Sequence, residues 1–137
     1  MNSTLKYIAG KYNFDLESSS PISLDDTRNG LAILFKELGY KVGAEIGVDR
    51  GLYSKELSKA NPGVKLYCID PWKVYNEYDD IPDQHTLNAN YNCTIKCLAP
   101  YNCKIIRKFS MGAINDFEDR SLDFVYIDGN HTFNYVL

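Results

Sequence analysis

No stretch of this sequence is apolar over the ~18 residues that a membrane-crossing helix needs. Basic charge is not in excess either: 15 Lys and Arg face 18 Asp and Glu, for a net charge of -3. That balance disfavours nucleic acid and anionic membranes as partners, because both demand a basic surface. The opening stretch MNSTLKYIAGKYNFDLESSS lacks a continuous apolar core and a small-residue cleavage site. The expectation is therefore a cytoplasmic protein without a leader. Cysteine is sparse, with Cys68, Cys93, Cys97 and Cys103 the 4 present. Their spacing forms no CxxC pair and no fourth ligand lies close to the last three, which argues against structural zinc. Nothing else points to an oxidising compartment, so Cys68 and Cys103, in apolar stretches, read as small hydrophobes. The Asn-X-Thr/Ser triplets at Asn2, Asn92 and Asn130 carry little weight without secretion.

What is present is an ordinary globular composition, 137 residues with 45% hydrophobic and 24% charged, enough for one domain with one core. The stretch ESSSP sets off an N-terminal arm, residues 1–20, from a domain over 21–137. A helix is expected from a cap at Ser23 or Asp25 to Leu38, with Leu31, Leu34, Phe35 and Leu38 on one face and Gly39 as its stop. From there strands and helices alternate. KVGAEIGV, VKLYCID, CKIIRKF and LDFVYID read as strands, and LYSKELSKA, QHTLNANYNCTIKCLA, MGAINDF and GNHTFNYVL as helices or helix starts. Alternation of this kind predicts an α/β fold, a doubly wound Rossmann-like parallel sheet of about four strands. Ligands of such sheets sit beyond the carboxyl ends of the strands, so the residues there carry the functional reading.

After the first strand stand Gly47 and Gly51, which either shape a plain turn or let backbone approach a ligand. No P-loop string exists, and the segment Gly47-Val48-Asp49-Arg50-Gly51 places Asp49 where a dinucleotide loop needs its middle glycine. With Glu45 just before it, this loop disfavours a diphosphate and suits a cationic cofactor without phosphate, such as S-adenosylmethionine. Asp70, ending the second strand, can accept hydrogen bonds from ribose hydroxyls, or it can cap the turn into Pro71. Trp72 is either a wall for the cofactor or a core anchor. Phe109, Ser110 and Met111 follow the third strand, where an adenine edge would lie, though Ser110 could simply cap a helix. Asp128 and His131 follow the fourth. Asp128 could bind a divalent cation, and His131 could act as general base. The competing reading has Asp128 and Asn130 capping a helix and His131 packing. His85 reads as a surface residue. The acidic aromatic segment VYNEYDD is either a lid or a solvated connection.

AEIGVDRGLYS, LYCIDPW and LDFVYIDGNHTF, in that order, resemble the class I S-adenosylmethionine-dependent methyltransferases, most closely the group labelled methyltransferase family 24. The resemblance covers roughly residues 28–137. It implies a seven-stranded sheet, of which this sequence carries the first four strands, so a fragment is expected. It implies Glu45, Gly47 and Gly51 around the methionine part of S-adenosylmethionine, with Val48, Tyr53, Pro71 and Trp72 as further cofactor-binding candidates. Asp70 would lie on the ribose, and Phe109, Ser110 and Met111 near the adenine. Asp128 would border the methyl-transfer centre, and in some relatives its counterpart joins a divalent metal. The implied activity is methyl transfer to a hydroxyl or amine of a small-molecule, sugar- or natural-product-like acceptor. A noncatalytic methyltransferase-like nucleoside-binding module is the alternative, and a dinucleotide oxidoreductase domain a third reading.

Overall fold

The computed structural model describes residues 3–17, 23–75 and 81–130. Four strands form one sheet: β1 (Val42–Ile46), β2 (Lys65–Ile69), β3 (Cys103–Ile106) and β4 (Phe124–Ile127). Their order is β3-β2-β1-β4, and every pairing is parallel. The chain therefore winds outward from β1 to β3, then returns to the far side of β1. The reversal between β1 and β4 is the topological switch point, where the strand ends diverge and leave a crevice.

Alternation along the strands divides the core. Glu45, Leu66, Cys68, Cys103, Phe124 and Tyr126 face α2 (Arg28–Glu37), α3 (Leu52–Ala60) and α4 (Gln84–Leu98), packing with Ala32, Phe35, Leu57 and Leu98. Ala44, Ile69 and Ile106 face the opposite way, onto Ala113, Phe117 and Leu122. Ala113 ends α5 (Ser110–Ala113), which continues as a 3-10 turn over Ile114–Asp116. All four cysteines are free thiols, with Cys68 buried in the sheet and Cys93 exposed on α4.

The helix termini show where local chemistry overrides simple pattern. The cap of α2 is Thr27 rather than Ser23 or Asp25: its side chain accepts from the Gly30 N–H at 3.2 Å. Asp26, the residue before it, is engaged with the Thr27 N–H and the Tyr12 hydroxyl. The C-terminal end of α2 follows expectation. Gly39 holds φ 72, its N–H donates to Lys36 O at 3.0 Å, and the Tyr40 N–H donates to Phe35 O at 3.2 Å. Those two bonds make a Schellman cap. The expected N-terminal arm contains a helix, α1 (Ser3–Tyr12), with no buried residue. Its described polar ties to the body run from Lys11 to Glu37 and from Tyr12 to Asp26. Past Asn130, the stretch GNHTFNYVL expected to start a helix lies outside the described residues.

Candidate functional site

A cavity of about 310 Å³ opens over the carboxyl ends of the strands. Its walls come from the loops after all four strands. Gly47 and Asp49 follow β1, Asp70 to Tyr75 follow β2, Lys108 to Ser110 follow β3, and Asp128 to Asn130 follow β4. The parallel register brings these loops together, because each strand delivers its loop to the same edge of the sheet.

Gly47 is the residue that this arrangement least tolerates changing. Its φ is 89, and a Cβ there would stand 2.3 Å from the Asp128 carbonyl oxygen. The β1 and β4 loops thus touch backbone to backbone, which only glycine permits. Gly51 also has positive φ, 76, but lies at the start of α3 against Thr94 and Leu98 of α4, away from the cavity. Its role in the structure is close helix packing.

Asp70 anchors the floor. Its Oδ2 accepts from the Val48 N–H at 2.9 Å and the Asp49 N–H at 3.0 Å, and its Oδ1 accepts from the Trp72 N–H at 2.8 Å. A carboxylate offers about four acceptor positions, so roughly one remains for a ligand hydroxyl, where the sequence reading expected ribose to take two. The turn-capping role is also realised, through the bond to Trp72. Trp72 is an anchor of the core, 1% exposed with its ring 5.0 Å from that of Tyr91, and it also lines the cavity.

The other candidates divide cleanly. Pro71, Phe109, Ser110 and Asp128 line the cavity. Ser110 does not cap α5; Phe109 occupies the cap position and Ser110 is the first helical residue. Val48 is buried behind the wall, and Met111 is 72% exposed outside it. Tyr53 is turned into the α2–α3 contact, where its hydroxyl donates to Arg28 O at 2.8 Å and its ring lies 4.7 Å from that of Tyr126. His131 lies outside the described residues, as does most of the VYNEYDD segment.

Glu45 is where the structure corrects the sequence reading. Strand alternation turns it toward the helices rather than toward the cavity, and it is 2% exposed. Ser54 Oγ of α3 donates to it. Burial pushes its carboxyl up to about 7, with the charge of Asp128 adding to the rise and the Ser54 bond opposing it.

Several wall residues carried no sequence signal as ligands. Tyr75 meets Phe109 edge to face at 5.5 Å, and Asn130 Nδ2 donates to the Tyr75 hydroxyl at 3.3 Å. Three loops are thereby joined across one rim. Tyr75 lies in the segment VYNEYDD, read as either a lid or a solvated connection, and that is the signal that could have found it. Asp128 Oδ2 is 3.0 Å from Arg28 Nη2, so a guanidinium is one of its charged partners. Among the described residues no three His, Cys, Asp or Glu side chains converge to hold a metal ion. The divalent cation considered at Asp128 thus has no ligand set in the described residues.

This is the architecture of a doubly wound, Rossmann-like α/β domain, with its crevice at the β1–β4 switch point. The sequence narrows the class further: residues 44–137 match the profile of a methyltransferase-domain family, and the chain belongs to that family. Among solved structures it is similar to an O-methyltransferase from Bacillus cereus in complex with SAH, at 16% identity and a TM-score of 0.55. The match covers 94% of this chain and 55% of that one. It is similar also to the O-methyltransferase TomG from Streptomyces achromogenes, involved in tomaymycin synthesis and solved with SAM, at 17% identity and a TM-score of 0.57. There 95% of this chain covers 55% of the other. The chain thus spans about half the length of these structures, and the likeness is one of fold. No curated protein sequence matches it.

Proposed function

We propose that the cavity binds S-adenosylmethionine and that this chain forms the cofactor-binding part of a methyltransferase acting on a hydroxyl or amine of a small-molecule acceptor. The observation that carries this reading is the pairing of Asp70 with the Gly47 loop at one wall of a switch-point cavity. The loop amides of Val48 and Asp49 are already spent on Asp70, so this loop offers no nest for a diphosphate, which needs free amides. Family membership and the SAH- and SAM-bound structures that share the fold support the same cofactor.

S-adenosylmethionine supplies an electrophilic methyl group on a sulfonium. The chain's residues bind and orient. Asp70 accepts one ribose hydroxyl with its remaining acceptor position, and Pro71 and Trp72 form the wall beside the sugar. Phe109 and Ser110 border the adenine, while Gly47 leaves the methionine part room against the backbone of the β4 loop. Asp49 and Asp128 contribute negative potential where the sulfonium and ammonium would sit, which favours cationic cofactor electrostatically. Catalysis on this reading is mainly positioning of the methyl group in line with the acceptor. A base role for His131 rests on the sequence pattern alone.

Calorimetric titration with S-adenosylhomocysteine and, in parallel, NAD tests the assignment. Binding of the first alone is expected, and Asp70→Asn is expected to abolish it. Preference for NAD, or unchanged binding in the variant, overturns the reading. Methyl transfer to an acceptor library then separates an enzyme from a binding module.

A further inference from the structure

Two residues of the cavity rim hold left-handed backbone without being glycine: Asp49 at φ 53 and Trp72 at φ 40. Such conformations are costly and persist where the surroundings over-determine them. Trp72 is held at every polar atom it has. Its N–H donates to Asp70 at 2.8 Å and its indole Nε1 donates to Asp49 O at 2.7 Å. Its carbonyl accepts from Gln84 Nε2 at 2.9 Å and from Arg107 Nη2 at 3.1 Å.

The last two donors belong to a compact clasp. Arg107 Nη2 and Gln84 Nε2 both donate to Asn88 Oδ1, at 2.7 and 3.1 Å. Gln84 Oε1 accepts from the Val74 N–H at 3.1 Å. The guanidinium of Arg107 lies 4.5 Å from the Tyr91 ring centroid. Gln84, Asn88 and Tyr91 recur at helical spacing along one face of α4. Thr94, the next position on that face, donates to Asp49 O at 2.9 Å. One helix face therefore supports both strained residues.

We propose that Arg107 and Gln84 are positioning residues for the cofactor cavity. Acting through the Trp72 carbonyl, they keep the Pro71–Trp72 segment in its left-handed turn and so fix the wall against which an S-adenosyl ligand packs. This rests on the reading of the cavity as a cofactor site. Arginine is needed because a planar fork can aim donors at a carbonyl and an amide while its face stacks on Tyr91; a lysine ammonium cannot do both. Gln84 is exposed, yet its amide turns inward to bond the loop rather than solvent.

The test uses the full chain with Arg107→Lys and Gln84→Ala. Because Trp72 is the only tryptophan, acrylamide quenching of its emission reports the wall directly and needs no ligand. Both variants are expected to quench more readily. Both are also expected to bind S-adenosylhomocysteine about tenfold more weakly, the effect of losing the Arg107 or the Gln84 hydrogen bond to the Trp72 carbonyl, with thermal midpoints close to that of the parent. Raised quenching with unchanged affinity overturns the positioning role, and so does unchanged quenching. A parent chain that binds no S-adenosylhomocysteine overturns the cofactor reading instead, while quenching still decides whether the clasp sets the wall. Should Arg107→Lys fail to fold, the exposed Gln84→Ala variant carries both measurements.

Discussion

The indole Nε1 of Trp72 donates to the carbonyl oxygen of Asp49 at 2.7 Å, joining the loop after β2 to the loop after β1. The same oxygen accepts from Thr94 Oγ1. Removing the indole donor therefore weakens the join without leaving the carbonyl unpartnered. Trp72→Phe is expected to destabilise the fold by about 2–3 kcal/mol, from one lost hydrogen bond and an incompletely filled site. Urea denaturation followed by circular dichroism measures this. A loss under ~0.5 kcal/mol would show that the join contributes little.

Glu45 makes stability depend on pH in an unusual direction. Its folded-state pKa, about 7, stands above the ordinary carboxyl value of 4.5. Between those values the folded state holds a proton that the unfolded chain has released. Stability is then fully present below about 4.5 and falls as pH rises toward 7. The shift corresponds to roughly 3 kcal/mol at most. Glu45→Gln, which keeps an acceptor for Ser54, is expected to flatten this slope and to gain stability relative to the parent at pH 8. Urea midpoints from pH 5 to 8 for both proteins decide it; parallel curves would rule the Glu45 contribution out.

Gly47→Ala is expected to be among the most damaging small substitutions. The added methyl meets the Asp128 carbonyl at 2.3 Å and must adopt φ 89. Strain of this kind costs about 1–3 kcal/mol, and relief requires the β1 and β4 loops to part. Thermal denaturation should show the loss, and titration with S-adenosylhomocysteine a weaker site. Gly63→Ala, with nothing within 4 Å of its Cβ, is the control expected to change neither.

The Arg28–Asp128 pair separates charge from structure. Arg28 is 61% exposed at its side chain, so Arg28→Met should change stability by less than ~1 kcal/mol. It also removes a cation from the Asp128 carboxylate. Affinity for cationic S-adenosylmethionine should rise relative to neutral S-adenosylhomocysteine, most clearly at low salt. An unchanged ratio of the two affinities would place the sulfonium far from Asp128.

Much of this was readable from residues alone, for a physical reason. The strands are short, largely apolar runs, β1, β2 and β4 of them ending at Gly or Asp, and α3 matches LYSKELSKA end to end. The strand ends then locate the cavity, because a parallel sheet delivers every loop to one edge. What escaped was of three kinds. Helix α1 buries nothing, so it leaves no stripe in the pattern. Glu45 lies within a strand, and alternation sent it to the helix side while its neighbours Ile46 and Gly47 reach the cavity. Arg107 and Gln84, tied together by Asn88, act on a backbone carbonyl, which no side-chain motif encodes.

The burial of Cys68 has a practical consequence. Its thiol is sealed beneath the helices that cover β2, with 0% of the residue exposed, whereas Cys93 is open to solvent. An alkylating reagent would mark Cys93 at once and Cys68 only when the sheet opens. The lag between the two labels is a clock for opening of the central strands, set by the free energy of that opening when reclosure outpaces alkylation.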